Sequence, residues 1–237
     1  MTYLRVCAAL ALAVVATVST GCGLISSDVT DFDLTLPPKT FTIDAASWQV
    51  DGSAAQAVLS QSCAQQPTAC EQAAEAACKT GCSGTCDGGT QTCDMAFAVS
   101  LYQNVNLVME KPELQTINSE PVIKVTIDSV DYDVDMNTLN VDTPPMTIFV
   151  APATVMDPTD PSAVAIGTLA AQPAGQTSAS QSLMFTDTGK QKLIDTMSNF
   201  KTPFNIIVGT TLNVMMGDPV PMGALEAVVH ITAHASL

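Results

Sequence analysis

The chain has 237 residues, 47% of them apolar, and sets 23 carboxylates against 8 lysines and arginines for a formal net charge of −15. Nucleic acids and phosphate ligands are held by cationic side chains that displace counterions, so this balance, with Arg5 as the single arginine, excludes nucleic-acid binding. The apolar share is that of a globular protein, and solvated faces account for the acidity.

Arg5 is the only charge ahead of Val6 to Val18, a run of small or apolar residues. A membrane-spanning helix needs about 20 such residues. This run is shorter and suits the apolar core of a secretory signal. Small residues Ser19, Thr20 and Gly21 follow, and then Cys22. The "STGC" closure resembles the lipobox of bacterial lipoprotein precursors, with Ser19 where that motif usually has Leu. The resemblance covers residues 1–22. It implies that 1–21 is a signal peptide and that Cys22 becomes an acylated (palmitate-bearing) amino terminus. Several acyl chains, at about 0.8 kcal/mol per buried methylene, anchor a protein stably. Gly23 stands where the enterobacterial sorting pattern has Asp for retention in the inner membrane, which implies the outer membrane of the cell envelope. The implied partners are the membrane, through this lipid anchor, and envelope proteins.

Residues 22–39 are polar, contain Pro37-Pro38, and read as a lipidated tether. Phe41 and Ile43 then alternate with polar residues and predict a strand. Between residues 53 and 93 alanine is abundant and β-branched residues are rare. "PTACEQAAEAACKTG" predicts a helix with Pro67 in its first turn and Gly81 as a stop, placing Cys70, Ala74 and Cys78 on one face. "SGTCDGGT" reads as turn material.

Six cysteines, Cys63, Cys70, Cys78, Cys82, Cys86 and Cys93, fall in this stretch. No two have the C-x2-C spacing of zinc sites or of thioredoxin-like redox centres, and both histidines lie far away. Outside the cytoplasm an even set of cysteines pairs. Three disulfides within 63–93 are expected, in one of 15 connectivities that sequence does not choose between.

From Met95 the pattern turns strand-like. Phe97, Val99 and Leu101 alternate with smaller residues, and Val105, Leu107 and Met109 continue after a bend. Ile123, Val125 and Ile127 alternate, then the phase slips and Val130, Tyr132, Val134 and Met136 take the apolar positions. A slip of one residue predicts a bulge or turn near Asp128-Ser129. Asp131, Asp133 and Asp135 have the spacing of a calcium loop, but Met136 occupies the place that needs Gly. They are better read as the solvated face of a strand. "MTIFV" at 146–150 is another strand, and 156–182 reads mostly as loop with one short strand. "TDTGKQKLIDTMSNF" predicts a helix capped by Thr186 or Asp187, with Leu193, Ile194 and Met197 on its apolar face. "FNIIVGTTLNVMM" and "ALEAVVHITAHASL" supply the last two strands. On a strand, His230 and His234 lie about 13 Å apart, too far for one metal ion. Met215, Met216 and Met222 read as core filling.

Seven to nine short strands and few helices predict an antiparallel β-sandwich, with an immunoglobulin-like topology as the default. The domain would span 40–237 and include the cysteine-rich helical segment 53–93. There is no G-x-S-x-G elbow and no H-E-x-x-H. No catalytic residue, metal ligand or cofactor is assigned. The expected role is non-catalytic, structural or protein-binding. The alternatives are an exported enzyme or small-ligand carrier with a loop-built site, and a calcium-dependent adhesion module.

Overall fold

The computed structural model describes residues 31–117 and 122–236. In chain order the elements are β1 (Asp31–Asp33), β2 (Lys39–Asp44), α1 (Gly52–Leu59), α2 (Ala69–Ala77), β3 (Cys82–Cys86) and β4 (Cys93–Val105). There follow α3 (Leu107–Glu110), β5 (Lys124–Asn137), β6 (Met146–Pro152), β7 (Val164–Leu169) and β8 (Ser178–Ser182). β9 (Met184–Phe185), α4 (Gly189–Ser198), β10 (Phe204–Val214) and β11 (Ala224–Ser236) complete the chain.

The strands form two antiparallel sheets packed face to face, the β-sandwich that the alternating patterns predict. In the first sheet β11 is central, with β5 and then β8 on one side and β1 and β2 end to end on the other. The second sheet runs β3-β4-β10-β6-β7-β9. Every second residue of β11, from Leu225 to Ala235, is buried against the other sheet, and the residues between them face outward. In the immunoglobulin arrangement the last two strands share a sheet. Here β10 and β11 lie in opposite sheets, so the topology differs from that default.

The phase slip in β5 is a bulge. Ser129 pairs with Thr232 and Ile127 with Ala233, which leaves Asp128 as the extra residue. A second bulge was not anticipated. Met136 pairs with Glu226 and Val134 with Ala227, so Asp135 is also extra. It turns Met136 outward, 41% exposed, and brings Asn137 inward.

The tether reading of residues 22–39 runs too far. Residues 31–33 pair with β11, and Leu34 and Leu36 are buried. Their amides donate to the carbonyls of Ala233 and Ile231 at 2.9 and 3.0 Å. Apolar burial and sheet pairing therefore begin by residue 31. The signal segment 1–21 and Cys22 lie outside the described residues.

Other local readings also change. The bend expected before Val105 is absent. β4 runs straight to Val105, and Asn106 caps α3, accepting from the Met109 amide at 3.2 Å. "SGTCDGGT" starts as strand, because β3 pairs with β4 from Cys82↔Phe97 to Cys86↔Cys93. The 156–182 stretch holds two strands, β7 and β8. α4 begins at Gly189, and neither Thr186 nor Asp187 caps it. Leu193 and Met197 are buried, as predicted, with Ile194 half-buried. Among the described residues no helix is long and apolar enough to cross a membrane.

Candidate functional site

The six cysteines form three disulfides: Cys63–Cys86, Cys70–Cys93 and Cys78–Cys82. The first two bridges fasten the loop before α2, and α2 itself, to the β3–β4 hairpin. The third joins the end of α2 to the start of β3. The Sγ atoms of Cys63, Cys70 and Cys93 lie within 4.8 Å of one another, but each is already bonded to a partner sulfur. Packing under α2 is tight: a Cβ at Gly84 would overlap the Cys70 carbonyl. Only glycine lets the helix backbone sit this close to the strand.

This stapled unit belongs to the second sheet through β4, which pairs with β10, and α1 packs beside it. Asp51 caps that helix by accepting from the amides of Ser53 and Ala54, both at 2.9 Å. The Asp51 carboxyl lies below the ordinary carboxylate range, chiefly through the Ser53 hydroxyl and then the Ala54 amide. The Asp51 amide donates to the carbonyl of Ala77 at 2.8 Å, tying the start of α1 to the end of α2. Trp48, just before α1, is buried against Phe97 with ring centroids 5.1 Å apart, and its indole N–H donates to the Ala98 carbonyl at 3.0 Å.

α1 and the loop 215–223 face each other across an open groove of about 980 Å³. Val50, Gly52 and Gln56 line one wall, and Pro219, Val220, Pro221 and Met222 line the other. Met136 and Thr138 of the β5 end complete it. Gln56 Nε2 reaches the Asp218 carbonyl at 3.4 Å across the gap. The loop is held by Asn140, which accepts from the Met222 amide at 2.7 Å and donates to the Val220 carbonyl at 2.9 Å. Gly223 closes the turn at φ +90°, where a Cβ would strike the Thr138 carbonyl.

Met222 is 64% exposed, and Met215 and Met216 on the same loop are 54% and 55% exposed. The core-filling reading of these three methionines is therefore wrong. They follow the last core residue of β10, Val214, and the chain turns out into solvent before β11 begins. Methionine is soft and unbranched, and exposed methionines make adaptable binding surfaces.

Among the described residues the groove's only ionisable lining residue is Asp44, whose carboxylate accepts from the Ala46 amide at 2.9 Å and caps a short 3-10 turn. Val50, Met136 and Val220 come from three distant parts of the sequence, so no local motif announces the groove. "DPVPMG" at 218–223 was the available signal, an apolar run inside turn residues.

The remaining candidates sit on the outer face of the first sheet. His230 and His234 both lie on β11, as the strand reading requires. Each pairs with its own carboxylate. His230 Nε2 is 2.9 Å from Asp133, and His234 Nδ1 is 3.1 Å from Asp128. The hydrogen bond that its ring donates to Asp128 holds His234 above its ordinary pKa. Asp131 accepts from the Ser182 hydroxyl at 2.8 Å on the sheet edge, and Asp135 sits in the second bulge. The three aspartates thus have separate roles along the strand. No protein-family model matches the chain, and no curated protein is similar to it.

Proposed function

We propose that this chain is a lipid-anchored lipoprotein of the bacterial outer membrane, with a non-catalytic, protein-binding role. The observation that carries the reading is the methionine-edged groove and its position. It lies at the Ala224 end of β11, whereas Asp31, where the described chain enters the sheet, pairs with Ser236 at the other end. Thirteen strand residues separate the two ends, about 40 Å at about 3.3 Å per residue. Cys22 precedes Asp31 by nine residues, which reach at most about 32 Å when fully extended. An anchor at Cys22 would hold the domain by its Asp31 end and direct the groove away from the bilayer.

Two further features support the reading. Three disulfides in one short segment suit an exported protein in an oxidising compartment. The groove's single carboxylate is engaged by its own backbone turn, which favours binding over acid–base chemistry.

The test is metabolic labelling with a clickable palmitate analogue in a bacterial host. The full chain takes up label and pellets with membranes, and Cys22→Ala does neither. A photo-crosslinker at position 222, in the native envelope, then joins the chain to a specific protein. Label that persists in Cys22→Ala would end the lipoprotein reading, and a crosslinker that finds only lipid would end the protein-binding one.

A further inference from the structure

The groove has an apolar floor and an acidic border. Asp44 lines it, Asp51 lies between lining residues Val50 and Gly52, and Asp218 adjoins Pro219. Asp135 adjoins Met136, and Glu226 pairs with Met136 across the sheet. Among the described residues no lysine or arginine lines the groove. Residues 44–94, which build the α1 side, hold six carboxylates against Lys79 alone. The crowding has a local effect: burial, and then the charges of Asp87 and Asp218, push the Asp94 carboxyl above the ordinary range.

We infer that the groove takes an apolar polypeptide segment of a partner protein, flanked by lysine or arginine. The inference rests on the protein-binding reading above and adds the partner's chemistry. Apolar side chains of the segment cover Met222, Met136 and Val220, and its flanking cations meet the border carboxylates. An acidic segment is repelled by the same border, so charge sets partner choice and orientation more than total affinity. A second copy of this chain is a poor occupant, because its own groove end carries the same negative charge.

The groove is also prepared for a ligand before one arrives. One wall is fastened through α2 to disulfides, and the other is pinned by Asn140. Fixed walls lose little freedom on binding, which raises affinity for a given contact area.

The test uses the full acylated chain in nanodiscs of zwitterionic phosphatidylcholine. Two short fluorescent peptides share one Leu/Val core, one flanked by lysines and the other by glutamates, and binding is read by anisotropy. The lysine-flanked peptide binds about tenfold tighter, as a few screened ion pairs allow, and added salt narrows the gap. Met222→Lys weakens the lysine-flanked peptide about tenfold, by like-charge repulsion and loss of apolar cover. Circular dichroism and intact disulfides confirm that this exposed variant folds. A second variant, Asp135→Asn with Glu226→Gln, shrinks the preference between peptides and leaves binding of the common core in place.

Equal binding of both peptides overturns the charge inference while leaving the binding reading standing. Binding of neither, with a concentration-dependent dimer in sedimentation that Met222→Lys abolishes, overturns it in favour of a second copy. Binding of neither without self-association overturns the inference and the binding role of the groove together, whatever Cys22 labelling shows.

Discussion

Asn140 holds Met222 as a neighbouring strand would, accepting from its amide at 2.7 Å and donating two residues back to the Val220 carbonyl at 2.9 Å. The Asn140 backbone amide also donates to the Met222 carbonyl at 3.1 Å, so side chain and backbone together fix the outer wall of the groove. Asn140→Ala removes both side-chain bonds and leaves the loop amide and carbonyl to water. A loss of about 1–2 kcal/mol follows, two bonds at about 1 kcal/mol each, partly recovered by solvation. Chemical denaturation measures that loss. Hydrogen exchange at the Met222 amide accelerates more than in the first sheet. Unchanged exchange there would show that the Asn140 side chain is not what holds the wall.

Disulfide connectivity has a direct check. Non-reducing peptide mapping yields the pairs 63–86, 70–93 and 78–82. The energetics follow from loop size. A bridge closing 23 residues constrains the unfolded chain by about 3 kcal/mol, and one closing four residues by about 2. Replacing Cys70 and Cys93 together by alanine therefore lowers the melting temperature more than replacing Cys78 and Cys82 together. Both Cys70 and Cys93 are fully buried, so their removal also opens a cavity. The reverse ranking would mean that strain or residual structure governs the bridges.

Gly84 is where α2 meets β3, and the contact leaves no room for a side chain. Gly84→Ala forces the helix off the strand at Cys70. Overpacking of this kind costs about 1–3 kcal/mol. The displacement passes through Ala77 to Asp51 and so to the groove wall. The melting temperature falls, and affinity for a groove ligand falls with it. Gly88→Ala is the control, since nothing lies within 4 Å of a Cβ there.

The frame of this fold was legible because burial imposes a period of two. Val125, Ile127 and then Val130 and Tyr132 could satisfy one inner face only with an extra residue near Asp128, and that is where the bulge lies. The second bulge was hidden, because Met136 is apolar and continues the alternation it interrupts. α1 has a sequence signal in Asp51 ahead of "GSAAQAVL", an N-cap before a helix-forming run. Six exported cysteines implied three bridges, but their pairing depends on how α2 lies on the hairpin, a tertiary fact. The groove was illegible for the same reason. Met215, Met216 and Met222 have core chemistry, and only the path of the chain between β10 and β11 puts them in solvent.

The bulge at Asp128 also sets a titration. By inserting one residue it brings the Asp128 carboxylate to 3.1 Å from His234 Nδ1, although Thr126 is the direct strand partner of His234. That hydrogen bond raises the ring's pKa above 6.5, against desolvation, and the charges of Asp128 and Asp31 add to it. Protonation is thus favoured in the folded state. The pair's contribution to stability is present in full below about pH 6.5, the unfolded value, and is lost as pH rises through the folded pKa. Proton NMR titration of the full chain gives the midpoint for His234 directly. Asp128→Asn keeps a hydrogen-bonding group but removes the charge, and the midpoint returns toward the ordinary range. A midpoint unmoved by Asp128→Asn would mean that the bulge does not couple the two side chains.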